Sequence, residues 1–286
     1  MNDFWSNKKV LVAGGNGFIG SYVIELLLQQ GAHVFSTSSS HEDRYRFLEP
    51  LQEEFESYVG DLNDLTHARG CLKGKDIVLY LAARVGGIEY NRTHPASLFR
   101  ANMQPFFTMM EAVRLENISR ILVTSSACVY PRFCEIPTPE SEGFREVPEP
   151  TNAGYGWAKR MQEYLAEAYT EEFGMNVVVA RPYNAYGPRD DFDPATSHVI
   201  PALIRRIESE ENPLVVWGDG TASRSFIYAE DFANGLLTVA EKATSPQAIN
   251  IGAQEEITIA NLVQLILQLS QRPLEIVYDT TKPNGQ

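Results

Sequence analysis

A run of glycines between a short apolar stretch and an amphipathic one constrains this chain more than any other feature. Val10-Leu11-Val12 leads into Gly14-Gly15-Asn16-Gly17-Phe18-Ile19-Gly20, and residues 18–30 carry apolar side chains at helical spacing. A strand that turns on glycine into a helix presents free N–H groups at the helix N-terminus. The missing side chains let a pyrophosphate come close to that backbone. Gly14, Gly17 and Gly20, with Phe18 and Ile19 opening the helix, are therefore candidate contacts to a dinucleotide.

The rest of the chain continues the same rhythm. Strands are expected at 9–13, 32–36, 77–82, 121–125 and 177–180, and helices at 18–30, 95–116 and 155–173. Short apolar runs alternating with longer amphipathic ones predict an α/β fold, a doubly wound parallel Rossmann sheet. After Arg181-Pro182, Pro, Gly and Asp accumulate over 186–194 and only short elements follow. We expect a dinucleotide-binding domain at 1–182 and a smaller C-terminal substrate-binding lobe at 183–286. The turn-like composition of 280–286 leads us to expect a further C-terminal element.

Composition narrows the partners. With 286 residues, 44% of them hydrophobic, the chain can bury a large core. A net charge of −13 repels nucleic acid and anionic membranes, so neither is an expected partner. No apolar run approaches a membrane span and the N-terminus lacks a signal-peptide pattern, so a cytoplasmic protein is expected. The cysteines are Cys71, Cys128 and Cys134, odd in number and without zinc-ligand spacing, which supports neither disulfides nor a metal site.

Tyr155 and Lys159 lie four residues apart and share one helical face. The ammonium is expected to stabilise the phenolate and lower the phenol from its free value of about 10. At the end of the second strand the chain reads Ser36-Thr37-Ser38-Ser39-Ser40, with Arg44 following. A carboxylate there would bind a ribose 2′-hydroxyl; the hydroxyls of Ser38 and Ser39 and the cation of Arg44 suit a 2′-phosphate instead. NADP(H) is therefore favoured, with NAD the alternative. Asp61, in Val59-Gly60-Asp61-Leu62, is placed to accept from the adenine amine, and Ala82 and Ala83 let the backbone pass close to the cofactor.

These motifs, with Ser126 in Ser126-Ala127-Cys128-Val129-Tyr130 and the run Arg181-Pro182-Tyr183-Asn184-Ala185-Tyr186-Gly187-Pro188, resemble the extended short-chain dehydrogenases/reductases that act on nucleotide sugars. The resemblance covers essentially the whole chain. It implies that Tyr155 is the acid or base at a sugar oxygen, that Lys159 binds the nicotinamide ribose, and that Ser126 hydrogen-bonds the same oxygen. Leu62 and Pro182 join the implied cofactor contacts, and two copies are implied to pair through 95–116 and 155–173. The chemistry is consistent: hydride addition creates negative charge on oxygen, which two hydroxyl donors stabilise. Relatives that dehydrate hexoses carry an Asp-Glu pair after the serine; Ala127-Cys128 stands there here, against dehydration.

Two stretches, Ala83-Arg84-Val85-Gly86-Gly87-Ile88 and 191–202, are similar to the GDP-L-fucose synthase branch of that family. Its pattern places a cysteine two residues after the serine and a histidine before Val-Ile-Pro, here Cys128 and His198. A C4 ketone acidifies the hydrogens on C3 and C5, so one group can remove a proton and another return it on the opposite face. Two inversions followed by hydride transfer to C4 would give the fucose configuration. The same resemblance implies nucleotide-sugar contacts from Val85, Gly86, Asn184, Trp217 and Arg224, with Trp217 against base or ribose and Arg224 forking onto the diphosphate. Lys282 lies where the family often has a substrate lysine. Two features depart from the pattern. The glycine loop is closer to the general nucleotide-sugar epimerase form. GDP-mannose 3,5-epimerases share the Ser-Ala-Cys context but usually have lysine where His198 stands. A redox-neutral NAD-dependent epimerase and a cofactor-sensing protein without turnover are the alternative functions; Tyr155 and Lys159 argue against the sensor.

Overall fold

A computed structural model describes residues 4–43 and 45–282 of the chain. Arg44, expected near a 2′-phosphate, lies outside the described residues. In chain order the first part runs β1 (Lys9–Ala13), α1 (Phe18–Gln29), β2 (His33–Ser38), β3 (Glu56–Val59), α2 (Leu65–Leu72), β4 (Ile77–Tyr80), α3 (Ile88–Thr93), α4 (Pro95–Leu115), β5 (Arg120–Thr124), α5 (Ala153–Phe173) and β6 (Val177–Pro182). It continues with β7 (Asn184–Tyr186), α6 (Val199–Glu208), β8 (Leu214–Trp217), β9 (Ser223–Arg224), β10 (Phe226–Tyr228), α7 (Ala229–Lys242), β11 (Ala248–Ile251), β12 (Ile257–Thr258), α8 (Ile259–Ser270) and β13 (Ile276–Asp279).

Seven strands form one parallel sheet in the order β11-β6-β5-β4-β1-β2-β3. Because successive strand residues point to opposite faces, each central strand feeds two cores. Val10, Val12, Ile77, Leu79, Leu122 and Val178 pack with α1 and α7. Leu11, Ala13, Val78, Ile121, Val123 and Val179 pack on the other face, with α2, α4 and α5. This two-sided burial explains why the strands read as continuous apolar runs. A fully buried Val or Leu contributes about 1.5–3 kcal/mol, so the doubly covered sheet is the main source of stability.

The expected elements are present, with informative shifts. The second strand begins at His33, not Ala32, because the Ala32 amide donates to Leu27 O at 3.0 Å and closes α1. The fourth ends at Tyr80 because its neighbour β1 stops at Ala13 and turns away at Gly14. Helix α5 starts at Ala153, fed by a turn at Pro150–Asn152 whose Thr151 amide is capped by the Glu149 carboxylate at 2.7 Å. The boundary at 182 needs correction. β11 pairs with β6 in the register Ala248↔Val179 to Ile251↔Pro182, and α7 packs against the same core as α1. The chain therefore leaves the sheet after β6 and returns to complete it, so one cut does not separate the two parts in space. The smaller lobe is built on α6, β8, α8 and β13 around Leu203, Ile207, Leu214, Val216, Leu262 and Val263. Among the described residues no helix is long and apolar enough to cross a membrane.

One polar interaction sits inside this apolar frame. Arg181 on β6 forks onto Glu163 on α5, with Nε to Oε1 at 2.8 Å and Nη2 to Oε2 at 2.6 Å. The two side chains are only 5% and 4% exposed. Arg181 Nη1 also donates to Glu140 O at 2.6 Å and to Tyr130 OH at 3.2 Å, and Tyr130 in turn donates to Asn250 Oδ1 at 2.6 Å. The network thus joins α5, β6, the segment after β5, and β11. Removing one partner leaves a buried charge uncompensated, which costs about 3–5 kcal/mol. Glu163→Ala should therefore lower the unfolding free energy in urea by about that amount, whereas Glu163→Leu combined with Arg181→Met should lose much less; equal losses would contradict a charge-compensation role.

Candidate active site

Strand β5 ends at Thr124, and the chain makes one 3₁₀ turn, Ala127–Val129, before running along the surface. Ser126 precedes that turn and its Oγ accepts from Cys128 N at 3.1 Å, which fixes both side chains at the carboxyl end of the sheet. Helix α5 closes against the turn so tightly that a Cβ on Gly156 would collide with the Cys128 carbonyl. That approach brings Tyr155 and Lys159 to Ser126 and Cys128.

Burial dominates the electrostatics of this group. The Tyr155 phenol is pushed well above its usual range by desolvation and then by the neighbouring Cys128; a hydrogen bond with Ser126 pulls it back. Burial likewise raises the Cys128 thiol, with Ser126 and Lys159 pulling down and Glu149 pushing up. The Lys159 ammonium is lowered to about 8 by desolvation, against the opposing pull of Cys128 and Glu163. This corrects the expectation that Lys159 lowers the phenol. Its Nζ donates to Thr124 O at 2.8 Å and to Gln162 Oε1 at 3.1 Å, and lies 5.5 Å from the centre of the Tyr155 ring. Ser126, not Lys159, is the group that stabilises the phenolate here.

His198 is placed differently. It is exposed and stands at the N-terminus of α6, and among the described residues its ring has no hydrogen-bond partner. Its electrostatic neighbour is Asp190, a 7% exposed carboxylate whose Oδ1 accepts from Asp191 N at 2.7 Å and whose Oδ2 is buried without a hydrogen-bond partner among the described residues. No hydrogen bond joins His198 to Cys128 among the described residues.

The glycine loop fits a dinucleotide. Gly14 has φ of +82°, and a Cβ there would stand 2.9 Å from the Ala82 backbone, so a side chain at 14 would collide with the end of the neighbouring strand. A Cβ on Gly20 would strike Gly14 O, and the α1 N-cap is Gly17, with no side chain on the helix's first N–H groups. Phe18 and Ile19 are half-buried against the first core, and Leu62 against the second. Asp61 Oδ1 accepts from the backbone and side-chain nitrogens of Asn63 at 2.9 and 2.8 Å while the residue stays exposed. Ala83 is exposed, and Pro182 is buried at the end of β6.

At the end of β2 the hydroxyls are not equivalent. Ser38 is buried: its Oγ donates to Ser40 O at 2.7 Å and accepts from Asn16 Nδ2 at 3.1 Å. Ser39 is exposed, and Asp43, carrying a carboxylate, hydrogen-bonds Ser40 Oγ at 3.1 Å. Local bonds therefore already engage Ser38, whereas Ser39 makes no side-chain hydrogen bond among the described residues.

The expected sugar and nucleotide contacts line several segments. Val85 is 47% exposed; Gly86 is buried, and a Cβ on it would press 2.5 Å from the Tyr90 ring. Asn184 on β7 donates to Ser225 O at 3.1 Å. Trp217 ends β8 with 42% of its surface free, and Lys282 Nζ sits 5.3 Å from its ring centre. Arg224 on β9 donates to Ser223 O at 2.7 Å, and its guanidinium is lowered by burial and supported by Glu149. Sequence reasoning missed Glu149, Gln162, Glu163, Asn102 and Asp190. Helical spacing could have found two, since Gln162 and Glu163 follow Lys159 by three and four positions.

A Rossmann sheet with a glycine cradle, and Ser, Tyr and Lys gathered at the carboxyl end of β5, define a dinucleotide-dependent enzyme. The chain belongs to the NAD dependent epimerase/dehydratase family, whose model matches residues 10–252. It is 34% identical over 282 residues to a GDP-L-fucose synthase of Sinorhizobium fredii, covering 97% of this chain and 85% of that protein. It is 30% identical to a dTDP-4-dehydro-6-deoxy-D-allose reductase of Streptomyces bikiniensis, over 99% of this chain and 87% of that one. Among solved structures, a UDP-N-acetylglucosamine 4-epimerase from Methanobrevibacter ruminantium, in complex with UDP-N-acetylmuramic acid, superposes with a TM-score of 0.87 at 28% identity, covering 98% and 87% of the two chains. The protein is an NAD(P)-dependent nucleotide-sugar epimerase/reductase.

The lowered Lys159 has a measurable consequence. Between pH 8 and 10.5 the unfolded chain still holds a proton that the folded chain has released, so stability rises with pH across that window. Below 8 both states are charged and the cost of the buried cation is felt in full. Urea unfolding free energies of the native chain should climb relative to Lys159→Met by about 1.4 kcal/mol per pH unit in that window. Parallel curves for the two proteins would contradict the assignment.

Proposed function

We propose that this chain converts GDP-4-keto-6-deoxymannose to GDP-L-fucose, epimerising C3 and C5 and then reducing C4 with NADPH. The observation that carries the reading is Cys128 on the turn against which the Tyr155–Lys159 stretch of α5 closes, where a dehydratase would place carboxylates. Support also comes from the GDP-L-fucose synthase relative.

In this mechanism Gly14, Gly17 and Gly20 hold the pyrophosphate, Lys159 the nicotinamide ribose, and Asp61 the adenine. When bound, the dinucleotide supplies the hydride for C4. Trp217 and Arg224 hold the nucleoside diphosphate. Tyr155 and Ser126 donate to the C4 oxygen, so negative charge that forms there during enolisation is met by two positioned hydroxyls. Cys128 and His198 work the two faces of the ring, one removing the proton from C3 or C5 and the other returning one. Burial keeps the thiol protonated, which suits Cys128 to the returning step. In the last step Tyr155 gives its proton to the C4 oxygen. We also propose that two copies pair through α4 and α5, whose outer faces leave Phe107 49% and Tyr164 59% exposed.

One observation favours a second reading, redox-neutral epimerisation with bound NAD. Asn16 ties the glycine loop to Ser38 and to Asp43 O at 2.8 Å, bringing a carboxylate-bearing residue to the 2′ region. The test separates the two. With GDP-4-keto-6-deoxymannose in heavy water, deuterium should enter C3 and C5, and one NADPH should be oxidised per fucose formed. Exchange without NADPH oxidation would support the redox-neutral reading, and no exchange with a bound substrate would refute epimerisation. Cys128→Ser should lower exchange at least about a hundredfold while part of the reductase activity persists, and Tyr155→Phe should suppress mainly the hydride step.

A further inference from the structure

Lys159 is tied into a hydrogen-bonded chain that the mechanism above does not use. Its Nζ donates to Gln162 Oε1 at 3.1 Å, and Gln162 Nε2 donates to Asn102 O on α4 at 2.9 Å. The Asn102 side chain then pairs with both backbone groups of Arg84: Arg84 N donates to its Oδ1 at 3.0 Å, and its Nδ2 donates to Arg84 O at 2.9 Å. A second bond from Nδ2 to Leu98 O at 2.8 Å anchors Asn102 to its own helix. Lys159 is 2% exposed, and Gln162 and Asn102 are both 0% exposed. Beyond Arg84 the same loop carries Val85 and Gly86, and Asn91 Nδ2 holds Gly86 O and Gly87 O at 2.5 and 3.1 Å.

Counting donors gives the chain its meaning. An ammonium has three N–H groups and no acceptor, and a side-chain amide has an acceptor at one end and donors at the other. Thr124 O and Gln162 Oε1 take two of the three Lys159 donors, which leaves one for a cofactor hydroxyl. Gln162 is suited to its place because its oxygen faces a cation and its nitrogen faces a carbonyl. A methionine of similar length would fill the space and break both bonds.

We propose that Gln162 is a positioning residue that orients the Lys159 ammonium and, through Asn102, ties it to the 84–87 loop on the sugar side of the cleft. The proposal rests on the reading of Lys159 as the cofactor-ribose ligand. The charged and titratable groups that face Lys159 are Cys128 from the turn after β5 and Tyr155 and Glu163 from α5, and Glu163 is itself engaged by Arg181 from β6. From α4 the facing group is the neutral Asn102, and a charge placed at Gln162 would sit at hydrogen-bond distance from Nζ.

The test uses the full chain and two variants. The Lys159 amine is followed by NMR as a lysine titrating apart from the surface lysines, assigned by its disappearance in Lys159→Met. Gln162→Glu should raise the midpoint so that proton affinity grows about tenfold or more, since a carboxylate then replaces a neutral oxygen next to Nζ. Gln162→Met should lower NADPH and NADH affinity about tenfold by titration, with the melting temperature held within a few degrees. A midpoint unmoved by Gln162→Glu in a folded protein would overturn the proposal. So would a loss of melting temperature in Gln162→Met with dinucleotide affinity intact, which marks a packing residue. These readouts need no sugar, so a failure of the GDP-fucose reading, seen as no turnover with that sugar, is distinguishable from a failure here.

Discussion

Buried charge is the constraint around which the catalytic end of this sheet is arranged. Lys159, Glu163 and Arg181 are 2%, 3% and 4% exposed, within one helix and the strand beside it. With Arg160, 2% exposed on the same helix, there are three cations to this one anion. Glu163 is engaged by both forks of Arg181 and by the Ser125 hydroxyl, so its geometry is set by β5 and β6. Lys159 is left with neutral acceptors, a carbonyl and an amide. An ion held in that way carries several kcal/mol of desolvation that hydrogen bonds only partly offset, and this is why its proton is held loosely.

The same burial acts on the groups around it with the opposite chemical sign. The Tyr155 phenol and the Cys128 thiol are pushed up, the ammonium is pushed down, and all three shifts favour the neutral form. A pocket that resists charge at rest stabilises most strongly the charge for which it has fixed donors. The Ser126 hydroxyl and the Tyr155 phenol are such donors. Negative charge developing on an oxygen within reach of those two hydroxyls would be met by donors already in place.

How far this could be read from the sequence depended on which atoms do the work. The sheet, the glycine turn and the helices were legible because they follow from apolar spacing and from glycine at positions where a side chain would collide, as at Gly14 against Ala82. The spacing of Tyr155 and Lys159 correctly placed them on one face of α5. It said nothing of where the ammonium's three donors go, and the expected tuning of the phenol by Lys159 failed on that point. Asn102 was invisible for a related reason: its side-chain partners are main-chain groups of Arg84 and Leu98, which leave no trace in residue identity. The return of β11 to the sheet was hidden because Ala248–Ile251 is too short a strand to announce its partner.

The pairing of Cys128 with His198 shows what the fold adds to a motif. Cys128 belongs to the turn after β5, inside the doubly covered sheet, whereas His198 opens the helix that leads into the smaller lobe. Inversion beside a ketone requires groups on two faces of a ring, so the two residues are useful only if the lobe is held in register with the sheet. The 84–87 loop supplies that contact. A Cβ on Gly87 would lie 3.3 Å from Ser197 O, the residue before His198, while Arg84 at the other end of the loop is clamped by Asn102 and through it connected to Lys159. A single loop therefore touches the histidine's segment and the lysine's hydrogen-bond chain. Movement of the lobe on the sheet would therefore reach the segment before His198 and the Lys159 hydrogen-bond chain through one piece of backbone.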